Sequence, residues 1–315
     1  MTKMKFILKS TLVLSLLMIA SSIAQAQTAR TWVSGVGSDG NPCSLTAPCK
    51  TLAGAYNKTL AGGQINLLDA NSVGSLTISK SVTIDASESF AGLLAVGGFN
   101  SIVVNTAATD VVVLRGLAID GNLKTGLNGV KFIQGGELHV ENCTIQNFSG
   151  KGITFEPTLA NSRLFVKDTI IRNNTGAGIS IQPGVNPASA FVSIDHTRLD
   201  SNQNGLTAFD KTVVTVSDSV AAGNTSNGFL ATASAVAATE INLERCVSTL
   251  NGSNGIRAIG GGGNFATIRA TNVAVFSNAT GLSTGVNGTI FSFGNNRIAG
   301  NTAGDGSFTN TGMEL

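Results

Sequence analysis

Charge is scarce in this 315-residue chain: Lys, Arg, Asp and Glu together make up 12% of it, and the net charge is +2. That balance is too small to argue for a nucleic-acid or anionic-membrane partner, and no nucleic acid is expected. Aromatic polar residues are scarcer still, with one Trp and one Tyr. The two histidines, His139 and His196, are far apart, so a shared metal centre is not expected; neither is any other metal or cofactor. Apolar residues, at 42%, are too many for a disordered polymer. Long apolar runs are lacking as well. The run TLVLSLLMIA, residues 11–20, is too short for a comfortable bilayer span, and no transmembrane segment is expected in the mature chain.

That short run belongs to an export signal. Lys3, Lys5 and Lys9 precede it, and Ala24 and Ala26 follow in small-x-small spacing, which predicts cleavage after Ala26. Residues 1–26 are therefore read as a signal peptide, and a secreted or periplasmic location is expected. Gln27 rather than Cys follows the cut, so a lipid anchor is not expected. Export permits disulfides. Cys43 and Cys49, six residues apart and flanked by Pro42 and Pro48, read as a short disulfide loop; a metal site there lacks nearby His or further Cys ligands.

What the chain has in abundance is Gly, at 38 residues, and a repeat. Short alternating runs end on Leu114, Val140, Val166, Ile194, Val216, Leu243, Ala270 and Phe293. Eight places on stand Asn122, Phe148, Asn174, Asn202, Asn224, Asn251, Asn278 and Asn301. Near twelve places on stands a glycine: Gly126, Gly152, Gly178, Gly205, Gly228, Gly255, Gly281 and Gly306. The unit reads as strand, tight turn, short strand, Asn-bearing turn, Gly, strand and variable loop. A unit this short cannot bury its own apolar face and must stack on its neighbours. The result is an all-β parallel solenoid, with Asn bonding to Asn from rung to rung and Gly supplying positive φ. No sustained 3.6-residue spacing supports helical repeats, and the L-x-x-L-x-L signature is absent. Residues 64–87 and 93–104 read as earlier, less regular rungs, with regular ones from about 110. The domain reading is a cap over 27–60 that includes a short helix, a solenoid over 61–310, and a tail over 311–315.

The segment W-V-S-x-x-G-S-D-G-N-P-C…A-P-C-K-T, from Trp32 to Thr51, resembles the start of exported bacterial right-handed β-helix proteins of the pectate-lyase-like superfamily. The resemblance implies the right-handed sense, a capping helix and, at Cys43 and Cys49, a stapled loop. It also implies a scaffold that hosts lyases, hydrolases, epimerases and non-catalytic adhesins. Its lyases need carboxylates gathered around calcium with an Arg or Lys base. Its hydrolases need paired aspartates with Gly-His-Gly and Arg-x-Lys. Neither set stands in this sequence.

Stacking turns columns into neighbours about 4.8 Å apart. One column holds Asn142, Asp168, His196, Asp218, Arg245, Asn272 and Asn295. Within it, Asp168, His196, Asp218 and Arg245 form a polar ladder fit to bind a sugar or move a proton. The plainer reading is a turn that demands polar residues, with opposite charges stacked for mutual relief. A second candidate is the outward side of the strand after the Gly, where the resemblance places polysaccharide. It carries Lys131, Thr154, Ser180, Thr207 and Arg257, with Glu156, Gln182 and Asp210 near the strand ends. Glu156 and Asp210, two rungs apart, approach the upper carboxylate spacing of inverting glycosidases. Cys143 and Cys246 share a column four rungs apart, beyond disulfide reach, and are expected to be free buried thiols. The expected function is an exported β-helix that binds polysaccharide or cell-surface glycan along its face without catalysis. The alternatives are a polysaccharide lyase, epimerase or hydrolase with a reduced site, and a structural or adhesive surface protein.

Overall fold

The computed structural model describes residues 27–70, 74–89, 91–184 and 188–311. The export signal and its cleavage at Ala26 lie outside the described residues, as does the tail from 312 onward.

The chain coils into three parallel sheets. Sheet one has twelve strands, from Thr28–Val33 and Thr59–Leu67 through to Gly288–Ser292 and Asn310–Thr311. Sheets two and three have nine each, running from Gly92–Leu94 to Arg297–Ala299 and from Leu76–Ile78 to Thr280–Thr284. One coil shows the plan: Glu137–Glu141 in sheet one, Thr144–Gln146 in sheet two, Ile153–Phe155 in sheet three, then Ser162–Lys167 back in sheet one. This is the solenoid that the repeat predicts, its earlier coils included. Val82–Asp85 and Leu76–Ile78 already pair in register with the coil above.

Period-two alternation sets the inside. Leu138 and Val140 are buried while Glu137, His139 and Glu141 between them face outward. The inner residues stack on their own kind, as in Val140 on Leu114 and Val166, then Ile194, Val216, Leu243 and Ala270. Phe132 and Phe155 stack inside with ring centroids 4.3 Å apart. Each such side chain contributes about 1.5–3 kcal/mol by leaving water. The register departs from expectation at the last full coil. Ser292, not Phe293, pairs with Ala270, and one extra residue then separates Ser292 from Asn295. Asn295 regains the column, because Asn272 donates to the carbonyl of Gly294 just before it.

The corner between sheets one and two is a single left-handed residue. Gly116, Asn142, Asp168, His196, Asp218, Arg245, Asn272 and Asn295 occupy it, with φ between 45° and 67°. Asn and Asp tolerate that conformation best among residues with side chains. The corner between sheets two and three holds the asparagine ladder. The Asn202 side-chain oxygen accepts from the backbone N–H of Asn174 (3.1 Å) and from its Nδ2 (2.9 Å). Asn224 likewise serves Asn202's backbone, Asn251 serves Asn224, Asn278 serves Asn251, and Asn301 serves Asn278. Asn122 stands outside it, because Phe148 fills the next rung and accepts nothing. The left-handed residue at this corner is the one before each ladder Asn, as at Asn173, Ser201, Leu250 and Ser277.

The glycine column is shifted at both ends: Gly129 replaces Gly126, and Asp305 replaces Gly306. Its reason is also different. These glycines are not left-handed; they lie where the next rung presses close. A Cβ on Gly152 would sit 2.3 Å from Ile171 Cγ2 and 2.7 Å from the Gly178 carbonyl oxygen.

The N-terminal cap is fastened by Asp39. It accepts hydrogen bonds from Lys50 N, Thr51 N (both 2.9 Å) and Thr51 Oγ1 (2.7 Å), while Thr51 caps the helix Leu52–Lys58 through Gly54 N. Burial opposes the charge on Asp39, but these bonds and Lys58 outweigh it and hold its carboxyl below the ordinary range. Cys43 and Cys49 are joined in a disulfide, as the loop predicts.

Candidate functional site

The polar column at the first corner forms in the predicted register, but its side chains pair unevenly. Arg245 grips Asp218 with two parallel bonds of 2.7 and 2.8 Å and also contacts Glu244. His196 turns to Asp195, the residue before it, at 2.9 Å, rather than along the column. That bond and the Asp195 charge raise the His196 pKa above its ordinary value, while Arg245 holds Asp218 below its own. Asp168 is exposed. Asp195, His196 and Asp218 bring one ligand atom each within 4.8 Å of one another, yet the Arg245 fork already occupies Asp218. The column sits on a convex corner in open solvent, with His196 58% exposed. A turn that takes left-handed residues accounts for its composition.

The outward row of sheet three is not the accessible face that the sequence suggests. Thr154, Ser180 and Thr207 are buried, at 4% exposure or less. Glu156 folds back over Thr154, accepting from its hydroxyl at 2.8 Å, and pairs with Lys131 at 3.5 Å and Lys151 at 3.7 Å. Burial works against the Glu156 charge, but these partners prevail and its pKa is lowered. Asp210 is not in the Glu156 column. Phe209 holds that place, donating to Ile181 O as Glu156 donates to Phe132 O two rungs earlier. The Asp210 carboxylate instead accepts from the Ser234 backbone and hydroxyl. The two acids therefore do not face each other across a shared cleft.

The outside of sheet one is more open. There His139 stacks on Phe165, with centroids 4.6 Å apart and planes 17° from parallel. Phe191 and Val213 continue an apolar surface along the neighbouring column, at 45% and 39% exposure. Together with Asn161, Arg163 and Thr215 they line a shallow groove of about 570 Å³. Glu137 closes one side: it bonds His139 Nε2 at 3.2 Å and Arg163 at 2.9 Å. Those contacts, the histidine's first, outweigh burial and keep Glu137 ionised below the usual range. Salt bridges recur along the face, with Arg115 between Asp85 and Glu141, and Arg269 on Glu240. This platform was missed in the sequence because its members are 26 residues apart and come from different coils. Reading outward columns of sheet one (Val113, His139, Phe165 and Val111, Glu137, Arg163, Phe191) would have found it.

The sequence matches the family described as "Right handed beta helix region" over residues 57–207 and 100–272. The chain belongs to that family. Three solved structures share its fold. A pectate lyase, Pel9A, aligns at TM-score 0.64 and 16% identity over 90% of this chain and 80% of its own. An alginate lyase from Paenibacillus sp. str. FPU-7 aligns at 0.58 and 16% over 89% and 99%. A polygalacturonase from Erwinia carotovora ssp. carotovora aligns at 0.50 and 15% over 93% and 99%. A sequence search of curated proteins finds no match.

Proposed function

We propose that the protein is exported and binds an extended glycan along the outer face of sheet one, without turning it over. The observation that carries this reading is the aromatic platform of His139, Phe165 and Phe191, bordered by Glu137 and Arg163. An aromatic face that accepts the apolar side of a sugar ring, with polar groups at its edge for the hydroxyls, is the common build of such sites. The Cys43–Cys49 disulfide and the basic, then apolar, N-terminal sequence support export. The similar folds named as pectate lyase, alginate lyase and polygalacturonase support a polysaccharide as the ligand class.

What supports the non-catalytic reading is the state of two acids on the face. Glu137 and Glu240 are each gripped by a guanidinium and held below the ordinary carboxylate range. A general acid needs the reverse, a raised pKa that keeps its proton near neutral pH.

A glycan array on the mature chain, followed by titration of any hit, tests the reading. Saturable binding is expected, weakened about tenfold by Phe191→Ala, the loss of roughly 1.4 kcal/mol. Growth of unsaturated-uronate absorbance on pectate or alginate would overturn the non-catalytic part. No binding to any glycan would move the protein to a structural role.

A further inference from the structure

We infer that a second saccharide site lies at the N-terminal end of the same face, built around Trp32, and that it takes an uncharged hexose ring. Trp32 points outward from Thr28–Val33, half-exposed, with Asn66 and then Asp85 beside it on the next two strands. Arg30, one turn of the pleat away, has its guanidinium 5.9 Å above the indole. Gln64 sits beside Arg30 and donates to Asn66 Oδ1 at 2.9 Å and to Asp85 Oδ2 at 3.4 Å. Glu88 completes the rim, with no ion pair or side-chain hydrogen bond among the described residues. The pocket holds about 340 Å³, inside the range of roughly 300–1,000 Å³ typical of small-molecule sites.

The chemistry selects the ligand. One large flat apolar ring lies among two amides, two carboxylates and the Arg30 guanidinium. The Gln64 side-chain oxygen, the Glu88 carboxylate and the Arg30 guanidinium suit adjacent hydroxyls on one edge of a sugar, while the part of the indole that Arg30 leaves open covers its C–H face. Asp85 is tied by Arg115 at 3.6 Å and by the Ser87 hydroxyl, so its carboxylate is held in position. Two carboxylates, Asp85 and Glu88, outnumber the single Arg30 guanidinium on the rim, so the pocket disfavours a uronate carboxylate against a neutral ring. The site is distinct from the His139–Phe165–Phe191 platform: five strand pairings separate Arg30 from Phe165, or about 24 Å at rung spacing.

Trp32 is the chain's single tryptophan, so intrinsic tryptophan emission reports this pocket alone. The experiment titrates the mature protein with methyl β-glucoside, methyl β-galactoside and methyl α-mannoside, with galacturonate as the charged comparison. A saturable shift in emission with at least one neutral glycoside is expected in the millimolar range. Gln64→Ala and Glu88→Ala should each weaken it about tenfold, or some 1.4 kcal/mol. Phe191→Ala should leave it unchanged, which separates this site from the platform. Three results would overturn the assignment: no emission change with any neutral glycoside, a change that both pocket variants preserve, or galacturonate binding as tightly as the best neutral sugar.

Discussion

Asn251 receives both the backbone N–H and the side-chain N–H of Asn224 on its own oxygen, and it passes its own amide to Asn278 and to the Ala221 carbonyl. All three asparagines are buried. Asn251→Ala therefore orphans two donors of Asn224 that water cannot reach. At about 1–3 kcal/mol for each unsatisfied buried group, the loss should be roughly 2–6 kcal/mol. Asn272→Ala, at an exposed left-handed corner, should lose only about 1 kcal/mol of conformational preference. Urea unfolding of both variants checks this; equal losses would mean that the ladder bonds matter no more than a turn. At this scale the sequence was readable where residue type and requirement are one to one. The asparagines repeat because only an amide both accepts and donates along the row. The glycines repeat for a reason the sequence does not display, a close approach between coils rather than a left-handed φ. A second amide row was missed: Asn227 donates to Asn204 and Asn254 donates to Asn227. It lies just before the glycines and covers three coils, too few to mark a column by eye.

At the scale of strands and corners, coil length decided what was legible. The regular coils hold their register through insertions because extra residues enter the loop between sheets three and one, as in Glu156–Asn161. The exception is the single extra residue after Ser292, inside a corner, which the spacing placed one residue early in the chain. The platform of His139, Phe165 and Phe191 was hidden for a related reason. The alternation pattern marks which face a residue occupies, not which outward residues share a column, and that pairing exists only once coils are stacked. The corner position following the left-handed residue makes a prediction of its own. Cys143, Thr169, Thr197, Ser219 and Cys246 occupy it in successive coils, all buried. Burial pushes the Cys143 thiol up to about 12 and Cys246 to about 11. Because the thiolate is the reactive form, neither should be alkylated in the native protein at neutral pH. Both should label in denaturant without reductant. Mass spectrometry reads the two states, and a native-state adduct on either would contradict their burial.

For the molecule as a whole, the open ends matter most, since every interior coil is covered on both sides by another. The N-terminal end is closed by the helix Leu52–Lys58 and by the loop that Cys43–Cys49 ties. Replacing both cysteines by Ser should lower stability by about 2 kcal/mol, the chain-entropy value for so short a loop. Proteolysis should then cut first within the loop 36–50, while the coils beyond residue 110 stay intact. A uniform fall in resistance along the chain would show that the cap is not an independent closure. The coiling and the short helix near the N-terminus were legible in the sequence, because each rests on a local pattern or on stacking of like on like. The aromatic platform was not, since it depends on which outward residues of different coils come to share a column.

The asparagine row also has a sign. In four of the five links an NH2 hydrogen points toward the C-terminal coil, and in all five the accepting oxygen faces the N-terminal one; between Asn202 and Asn224 the donor is the backbone N–H alone. Aligned amides add their dipoles, so the row carries partial positive charge at its last member, Asn301, much as a helix does at its N-terminus. A carboxylate stands there: Asp305 accepts from Asn301 N at 3.0 Å and from its Nδ2 at 2.8 Å, and both bonds depress its pKa. A depressed pKa contributes stability above the unfolded-state value, and that contribution disappears as pH falls through the folded one. Acidification should therefore unfasten the row from its anchored end. Hydrogen exchange at the Asn278 amide, which Asn301 holds, should quicken before exchange at the Asn202 amide. The solenoid is in this sense a polarised rod with a counter-ion built into its last coil.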